Sequence, residues 1–230
     1  MNLELSPEAV EYGRTAREAL AGGDTEQVLE RLGAWELMPD EPEAAAALCR
    51  AVGYSAAGED GTDYAVAERL APGDGAIALT LGCWTLLGMA DRALDLTREH
   101  VTVREQFGQP LSKFQGVQFQ LTDAEVQRAG LEVLAAYALW SETLADAIAL
   151  RVAALEAADV VFRVAHQLHG ALGFCDEAPL SWLSRRSQPL RRRPWGLSDT
   201  RARLARETGR AGLTGLFDLE TVLPGGNTGR

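Results

Sequence analysis

Three long stretches of this chain carry apolar residues at helical spacing, and the connections between them are very short. The stretches cover about residues 76–106, 112–141 and 144–172. The first, "AIALTLGCWTLLGMADRALDLTREHVTVREQ", keeps a helical period over many turns. Because Gly108-Gln109-Pro110 and Ser141-Glu142-Thr143 are too short for long crossovers, neighbouring helices are expected to pack antiparallel. The sequence therefore predicts an all-α fold built on a four-helix-type bundle.

Shorter helices are predicted before the bundle, at about residues 7–21, 25–33 and 40–53. Ser6-Pro7-Glu8 combines a hydroxyl N-cap with a proline in the first turn. Thr25 opens the second helix, and Asp40 can cap the third. A Gly- and Asp-rich connection, "SAAGEDGTDYAVAERLAPGDG", with about one turn of helix inside it, then leads to the bundle.

The region after the third long stretch is interrupted by prolines. "APLSWLSRRSQPL" is broken by Pro189 and Pro194, and Ser198-Asp199 can cap a last helix to about Leu216. No segment predicts a strand. The domains expected are a shortened N-terminal helical segment (1–72), a helical bundle (73–220) and a flexible tail (221–230).

Composition restricts the class of protein. With 230 residues, of which 47% are apolar, the chain can bury one substantial core. Its 22 basic and 33 acidic residues give a net charge of −11, which argues against general affinity for nucleic acid or anionic membranes. The three widely spaced cysteines and the lack of a signal-peptide pattern predict reduced thiols and a cytoplasmic location.

Two groups of residues are weak candidates for a site. His166 and His169 have a spacing that could bind a metal, but no Glu-x-x-His partners accompany them, so we expect no metal site. An arginine cluster (Arg185, Arg186, Arg191, Arg192, Arg193) is explained either by pairing with the chain's own acids on a solvated face or by an anion site or partner contact. The five tryptophans are expected to be core or interface anchors.

Two motifs on the predicted bundle carry a family resemblance. "ALDLTREHVTVREQFGQPLSKFQGVQFQLTDAEV" resembles the acyl-CoA dehydrogenase family, whose third, helical domain has an Arg-x-x-Phe-Gly turn followed by a Phe/His-Gln pair. "AHQLHGALGFCDEAPLSWLSRR" resembles the family's Gln-x-x-Gly-Gly-x-Gly segment, with Ala171 in place of the second glycine. The resemblance covers about residues 76–186, and the N-terminal part resembles the family's first helical domain more faintly.

The resemblance implies an FAD site shared between subunits. In that family these residues contact the pyrophosphate and adenine of a flavin held mainly by the adjacent protomer. A guanidinium suits phosphate oxygens, and Gly or Ala allows close approach of the backbone. The cofactor contacts implied by position are Arg104, Gln106, Phe107, Phe114, Gln115, Gln167, Gly170 and Ala171.

Two departures from the family shape the functional expectation. No strand-rich segment stands between the helical parts, where the family has a β-domain. The family's catalytic glutamate has no counterpart: its usual position falls in "PLRRRPWGLSD" and its alternative position near Ala78. Asp74 and Asp199 are nearby in sequence, without a geometric reason to assign them the role. Because removal of the α-proton needs a positioned base, no catalytic residue is expected, and the chain alone should be inactive.

The resemblance, with these departures, implies the small non-catalytic subunit of a heteromeric FAD-dependent acyl-CoA dehydrogenase, the assembly that desaturates an acyl-CoA thioester. Some family members in steroid or polyketide catabolism are mixed assemblies of this sort. A full-length partner would supply the β-domain, the acyl-CoA pocket and the base, and an oligomer contact is expected along the second and third long helices. Two alternatives stay open: a flavin-free scaffold that binds a protein partner as a homo-oligomer, and a small acyl-CoA-binding protein whose arginine cluster holds the nucleotide phosphates.

Overall fold

The computed structural model describes residues 3–37, 40–56 and 63–211. Within these residues the chain is helical apart from one two-stranded ribbon. The helices are α1 (Pro7–Leu20), α2 (Thr25–Arg31), α3 (Pro42–Ser55), α4 (Asp63–Leu70), α5 (Ala76–Val103), α6 (Gln115–Ser141), α7 (Leu144–His169), α8 (Pro179–Arg192) and α9 (Leu197–Ala211). The strands are β1 (Glu105–Gln106) and β2 (Gln109–Pro110), and 3-10 turns cover Ala34–Glu36, Leu111–Lys113 and Gly170–Phe174.

The bundle is built from the three long helices in the predicted antiparallel order. Consecutive helices α5, α6 and α7 pack side by side, and α5 and α7 also contact each other. Two helices together take the place of the fourth helix of the bundle: α8 packs on α5, and α9 packs on α7. The all-α fold and the bundle are therefore confirmed.

Helix α5 lies at the centre of the protein. It is long and apolar enough to cross a membrane by length and composition, yet 72% of that window is buried inside the protein, as in a core helix. Its Trp84 is 1% exposed. Buried side chains from α1 through α8 form one continuous cluster around α5, so the N-terminal helices share the core of the bundle.

The N-terminal helices reach α5 through a close backbone crossing. Gly53 of α3 and Gly88 of α5 sit where the two helices meet. A Cβ at Gly88 would lie 2.0 Å from the Arg50 carbonyl oxygen, and one at Gly53 would lie 2.0 Å from that of Thr85. Only glycine allows the two backbones to come this close. This crossing fixes the short N-terminal extension on the bundle.

A network of ion pairs supports the same region. Arg50 of α3 pairs with Asp91 of α5 (2.7 Å) and Glu132 of α6 (2.6 Å). Arg128 of α6 pairs with the same two acids, at 3.3 and 2.7 Å. Because both arginines are mostly buried, these pairs tie three helices together more strongly than exposed pairs would.

Several predicted boundaries shift, each for a local reason. The helix starts predicted at Ser6 and Thr25 agree closely, with Ser6 and Asp24 accepting from backbone N–H groups as N-caps. Asp40 does not cap α3: Glu41 takes the N-cap position, because Pro42 has the fixed φ suited to the first helical turn. The helix predicted inside the connection, α4, is 8 residues long rather than about one turn.

The prolines affect α8 less than predicted. Pro189 lies inside α8, in its last turn, and the helix continues to Arg192 although proline has no N–H to donate to the preceding turn. The break comes instead at Arg193, which is extended because it precedes Pro194. The predicted end of the last helix near Leu216 and the tail 221–230 lie outside the described residues.

Candidate functional site

The short connection predicted between α5 and α6 is a tight β-ribbon. Helix α5 ends at Val103, and Arg104 is already extended (φ −75°, ψ 119°). Glu105 then pairs with Pro110, and Gln106 pairs with Gln109. The Leu111 N–H donates to the Arg104 carbonyl (2.8 Å) and closes the ribbon. The sequence did not indicate these two short strands, because helical spacing continues through the residues that form the ribbon.

Phe107 and Gly108 form the tip of the ribbon in a strained conformation. Their φ values are +54° and +82°, as a type I′ hairpin turn requires at both central positions. Glycine adopts this conformation freely, but a bulky aromatic residue does so rarely and at a cost on the order of 1–3 kcal/mol. The Phe107 side chain is also 93% exposed, and its ring makes an edge contact with the Phe114 ring (6.1 Å). Strain combined with exposure of an apolar ring points to a role outside the chain's own core.

Replacing Phe107 with asparagine tests this interpretation. Asn-Gly is the preferred type I′ pair, so Phe107→Asn should raise the free energy of unfolding by about 0.5–1 kcal/mol. Urea denaturation of the isolated chain measures the gain. If the variant is less stable than the wild type, the ring serves the fold and not an outside contact.

Arg104 stands at the base of the ribbon, exposed to solvent. It forms no ion pair with any residue in the described part of the chain. Its neighbour Glu99 is 4.0 Å from Arg92 instead. The guanidinium is therefore available to an anion from outside the chain.

The second motif follows the end of α7. Gln167 is exposed on the last turn, and Gly170 and Ala171 begin the 3-10 turn that follows. Gly170 has φ +61° and ψ −140°, a region that is essentially restricted to glycine. A Cβ there would meet nothing within 4 Å, so the backbone faces open space. Helix α7 ends at His169, three residues before the predicted end at Leu172, and Gly170 is the residue that follows it.

Stacked histidines join the two motifs. Helices α5 and α7 run in the same direction, so their carboxyl ends lie at the same end of the bundle. There the rings of His100 and His169 stack at 4.5 Å with 17° between their planes. His169 Nδ1 donates to the Ala165 carbonyl (2.8 Å), and His166 stacks on Phe174 at 4.6 Å. The structure thus brings the Arg104 ribbon and the Gln167–Ala171 segment, which are far apart in sequence, to one surface.

The electrostatics of this end favour neutral imidazoles. Burial, then His169 and then Arg104 lower the pKa of His100. Burial lowers the pKa of His169 against the opposing effect of the Ala165 carbonyl, and burial and His169 lower that of His166. Below the ordinary pKa of histidine, these three side chains therefore bind fewer protons in the folded protein than in the unfolded chain.

The stability of the protein should consequently fall as the pH falls. A histidine with a lowered folded pKa contributes fully above its ordinary pKa of about 6.5 and progressively less below it. We expect the free energy of unfolding, measured in urea between pH 7.5 and 5.5, to decrease. His100→Gln removes one member of the stack and should reduce this pH dependence. An equal decrease in wild type and variant would exclude the stack as its source.

The remaining cofactor candidates lie close to the ribbon. Phe114 is half-buried at the N-cap of α6, which begins at Gln115 instead of the predicted Ser112. Gln115 is exposed. Gln106 donates to the carbonyl of its neighbour Glu105 (2.9 Å) and is otherwise exposed. The chemistry of this surface, a free guanidinium beside amides, an aromatic ring and open glycine backbone, suits an anionic ligand with a flat ring system.

The two positions where the sequence analysis looked for a catalytic glutamate lie away from the ribbon. One cavity, between α4, α5, α7 and the end of α8, is lined by Ala78 and by Pro189, Leu190, Arg193 and Pro194. Asp74 and Asp199 are exposed and do not line it. Sequence reasoning missed two of its residues, Glu68 at the mouth and the buried Arg151. The only sequence signal for Arg151 was a single charge within the apolar run "AIALRVAAL".

The arginine cluster, the possible metal ligands and the tryptophans were the weaker candidates for a site. Of the arginine cluster, Arg185 pairs with Asp176 (2.7 Å) and Arg191 with Asp159 (3.2 Å), which for these two residues agrees with the first of the two explanations, pairing with the chain's own acids. Across residues 3–37, 40–56 and 63–211, no three His, Cys, Asp or Glu side chains gather as a metal site would require. Of the tryptophans, Trp84 is a core residue, whereas Trp140 is 51% exposed.

One face of α6 carries a row of exposed apolar side chains. Phe119, Val126, Val133 and Trp140 recur every seven residues and are 60%, 61%, 57% and 51% exposed. A seven-residue apolar repeat is the pattern of a helix that packs against another helix. Helix α7 shows no such row, because its apolar side chains are covered by other helices of the same chain. Of the two helices for which an oligomer contact is predicted, α6 is the one that presents such a row among the described residues.

Comparisons with known proteins agree on the family. Residues 79–192 match the model of the acyl-CoA dehydrogenase C-terminal domain. The chain is similar to 3-sulfinopropanoyl-CoA desulfinase of Paraburkholderia xenovorans, with 41% identity over 103 residues, 43% of this chain and 26% of that protein. It is also similar to acryloyl-CoA reductase (NADH) of Anaerotignum propionicum, with 28% identity over 60% of this chain and 35% of that protein. The chain thus spans about a quarter to a third of the length of these relatives.

Solved structures show the same fold. Butyryl-CoA dehydrogenase of Megasphaera elsdenii superposes with a TM-score of 0.56 at 24% identity, covering 66% of this chain and 40% of that one. The glutaryl-CoA dehydrogenase complex with glutaryl-CoA gives 0.56 at 21%, covering 66% and 39%. Through the helical domain matched at residues 79–192, the chain belongs to the acyl-CoA dehydrogenase family.

Proposed function

We propose that this chain is the smaller, non-catalytic subunit of a heteromeric FAD-dependent acyl-CoA dehydrogenase. A full-length partner carries the β-domain, the acyl-CoA pocket and the glutamate base. The observation that carries the proposal is the exposed surface at the carboxyl ends of α5 and α7. There Arg104, Phe107 and the Gly170–Ala171 backbone point away from the chain's own core. Relatives named for reactions on CoA thioesters support the same reaction class.

The residues present fit part of an FAD molecule. The forked Arg104 guanidinium can donate to pyrophosphate oxygens. The open backbone at Gly170 leaves room for a close approach, since a Cβ there would meet no atom within 4 Å. Gln106, Gln115 and Gln167 offer amide donors and acceptors, and Phe107 and Phe114 offer ring faces. FAD would supply the oxidising chemistry by accepting a hydride, while this chain would only bind and orient the flavin's nucleotide end.

The α6 row of Phe119, Val126, Val133 and Trp140 is the surface we assign to the partner helix. Exposed apolar rows of this kind mark protein contacts, and their burial gives roughly 25 cal/mol per Å². Binding through α6 would leave the ribbon and the Gly170 segment at the edge of the same interface. A flavin held mainly by the partner could then reach Arg104.

Affinity capture tests the proposal. A tagged chain is captured from its native host, the bound proteins are identified by mass spectrometry, and the complex is examined by absorption spectroscopy. We expect a full-length acyl-CoA dehydrogenase and a flavin band near 450 nm. The Val126→Asp variant of α6 should lose both the dehydrogenase and the flavin band. The Val10→Asp variant, which alters a similarly exposed valine on α1, should retain both.

A colourless complex would contradict the flavin role. A stable homo-oligomer without flavin, disrupted by Val126→Asp, would instead support the scaffold function that the exposed α6 row also allows.

A further inference from the structure

The charges of this chain are unevenly distributed along it. Residues 179–211, which cover α8, α9 and the connection between them, contain nine arginines and two acids, a net charge of +7. The rest of the chain contains 13 basic and 31 acidic residues, a net charge of −18. Every basic residue in 179–211 is an arginine, whose planar fork matches a carboxylate better than the ammonium of lysine does. This part of an acidic chain is therefore strongly basic.

An open groove of about 500 Å³ lies between α7, α8 and α9, within this basic part. Its apolar lining comes from Leu155, which is buried, and from Val160 and Leu197, which are half-buried. The groove shares none of its described lining residues with the cavity at Ala78. Its charged lining residues are Arg191 and Arg192 of α8, Arg201 of α9, and Glu156 and Asp159 of α7.

The positive charge of this surface is only partly neutralised by the chain itself. Arg191 pairs with Asp159 (3.2 Å), and Arg201 pairs with Glu156. Arg192 is exposed and forms no ion pair with any residue in the described ranges.

The exposed side chains of Arg206 and Arg210, one turn apart on α9, also make no ion pair within the described residues. Because like charges on neighbouring turns repel each other, an acidic partner would stabilise this surface.

The basic part lacks the features that nucleic acids and membranes require. Its tryptophans, Trp182 and Trp195, are half-buried, and the guanidinium groups of Arg185 and Arg203 lie over their rings, so they are poor platforms for base stacking. None of the large exposed apolar side chains in the described chain lies on α8 or α9, so no such side chain there can insert into a membrane. These features favour an acidic protein surface.

A helix is the element of a partner that suits this groove. The two strands that the structure describes form the ribbon after α5, so a partner cannot extend a sheet at the groove. An amphipathic helix instead presents apolar side chains along one face and can carry carboxylates beside them. The groove offers the complement, since arginines of α8 and α9 line it together with apolar residues of α7 and α9.

We propose that this groove binds an amphipathic, acidic helix of another protein, with an apolar side chain against Leu155, Val160 and Leu197 and a carboxylate on Arg192. The carboxylate supplies a counter-charge that the described chain does not give to Arg192. The groove is a second interface, because its residues differ from those of the α6 row and of the flavin-contact surface.

Two arginine variants provide a matched test. Arg192→Glu reverses the unpaired charge at the groove. Arg31→Glu is the control: Arg31 is also an exposed arginine in the last turn of its helix, α2, and it too has no ion pair among the described residues. The two substitutions change the net charge equally and disturb equivalent helix positions.

The experiment is a fluorescence anisotropy titration of the whole chain into a labelled synthetic helical peptide with leucines on one face and glutamates beside them. The control peptide has the same composition in an order that forms no apolar face. We expect saturable binding of the amphipathic peptide, at least about tenfold tighter than the control. Arg192→Glu should weaken it by about tenfold or more, because a charged hydrogen bond is lost. Arg31→Glu should bind like the wild type.

Vesicles of phosphatidylcholine and phosphatidylserine, in a parallel sedimentation assay, test a membrane as the alternative occupant. We expect no binding of the chain to them. Vesicle binding that Arg192→Glu abolishes, no saturable peptide binding, equal binding of both peptides, or an equal loss with Arg31→Glu and Arg192→Glu would each overturn the proposal.

Discussion

Gly88→Ala is expected to lower the free energy of unfolding by about 3 kcal/mol or more, the top of the usual range for overpacking. The added methyl group would lie 2.0 Å from the Arg50 carbonyl oxygen and 2.9 Å from the Tyr54 nitrogen. Both are backbone atoms of α3, so no side chain can rotate to make room. The two helices must separate, which would also disturb the Arg50–Asp91 ion pair.

Gly82→Ala is the matched control for this prediction. It lies on the same helix, but its new methyl group would meet nothing within 4 Å. We expect it to raise stability by about 0.5–1 kcal/mol through helix propensity. Urea denaturation of both variants gives the comparison. Similar stabilities for Gly88→Ala and the wild type would mean that α3 does not cross α5 at this distance.

Arg104→Ala is expected to weaken FAD retention by the reconstituted complex about 10- to 100-fold. A hydrogen bond to a charged group contributes about 1.5–3 kcal/mol, and each 1.4 kcal/mol is a factor of ten. Arg104 has no competing ion pair among the described residues, so its removal should not disturb the fold. Arg104→Lys keeps the charge but loses the planar fork, and should fall between the alanine variant and the wild type.

Arg98→Ala is the control for a general loss of positive charge. Arg98 is exposed near the same end of α5, but it is already paired with Asp95 (3.0 Å) and with Glu125 of α6. Its removal should change FAD affinity little, since exposed pairs contribute under about 1 kcal/mol. If Arg98→Ala and Arg104→Ala weaken FAD binding equally, Arg104 acts through long-range electrostatic attraction and not through direct contact. Assembly with the partner is checked separately for each variant.

The long helices could be predicted from sequence because their signal is periodic and local. The order of α5, α6 and α7 followed from the short connections between them. The Ser6 cap also needed only neighbouring residues. The family motifs identified Arg104 and Gly170, but their convergence at one end depends on α5 and α7 running in the same direction.

The rest depended on contacts that no local pattern encodes. Helical spacing continued into the ribbon, whose turn is formed by Phe107 in a conformation that sequence preferences disfavour. The close approach of Gly53 and Gly88 joins segments 35 residues apart, and a glycine within a helix does not by itself indicate that another helix crosses there. For Arg151, only the fold shows that a single charge is buried against the end of α8. The difference between α6 and α7 likewise required knowing which apolar faces other helices cover.

The most direct test of the central claim is the FAD affinity of the captured partner, measured with and without this chain. Fluorescence titration of the apo-partner with FAD gives both dissociation constants. If this chain completes the flavin site, its addition should tighten FAD binding about tenfold or more, and the Arg104→Ala chain should restore little of that gain. An FAD dissociation constant that does not change when the wild-type chain binds the partner would contradict the account.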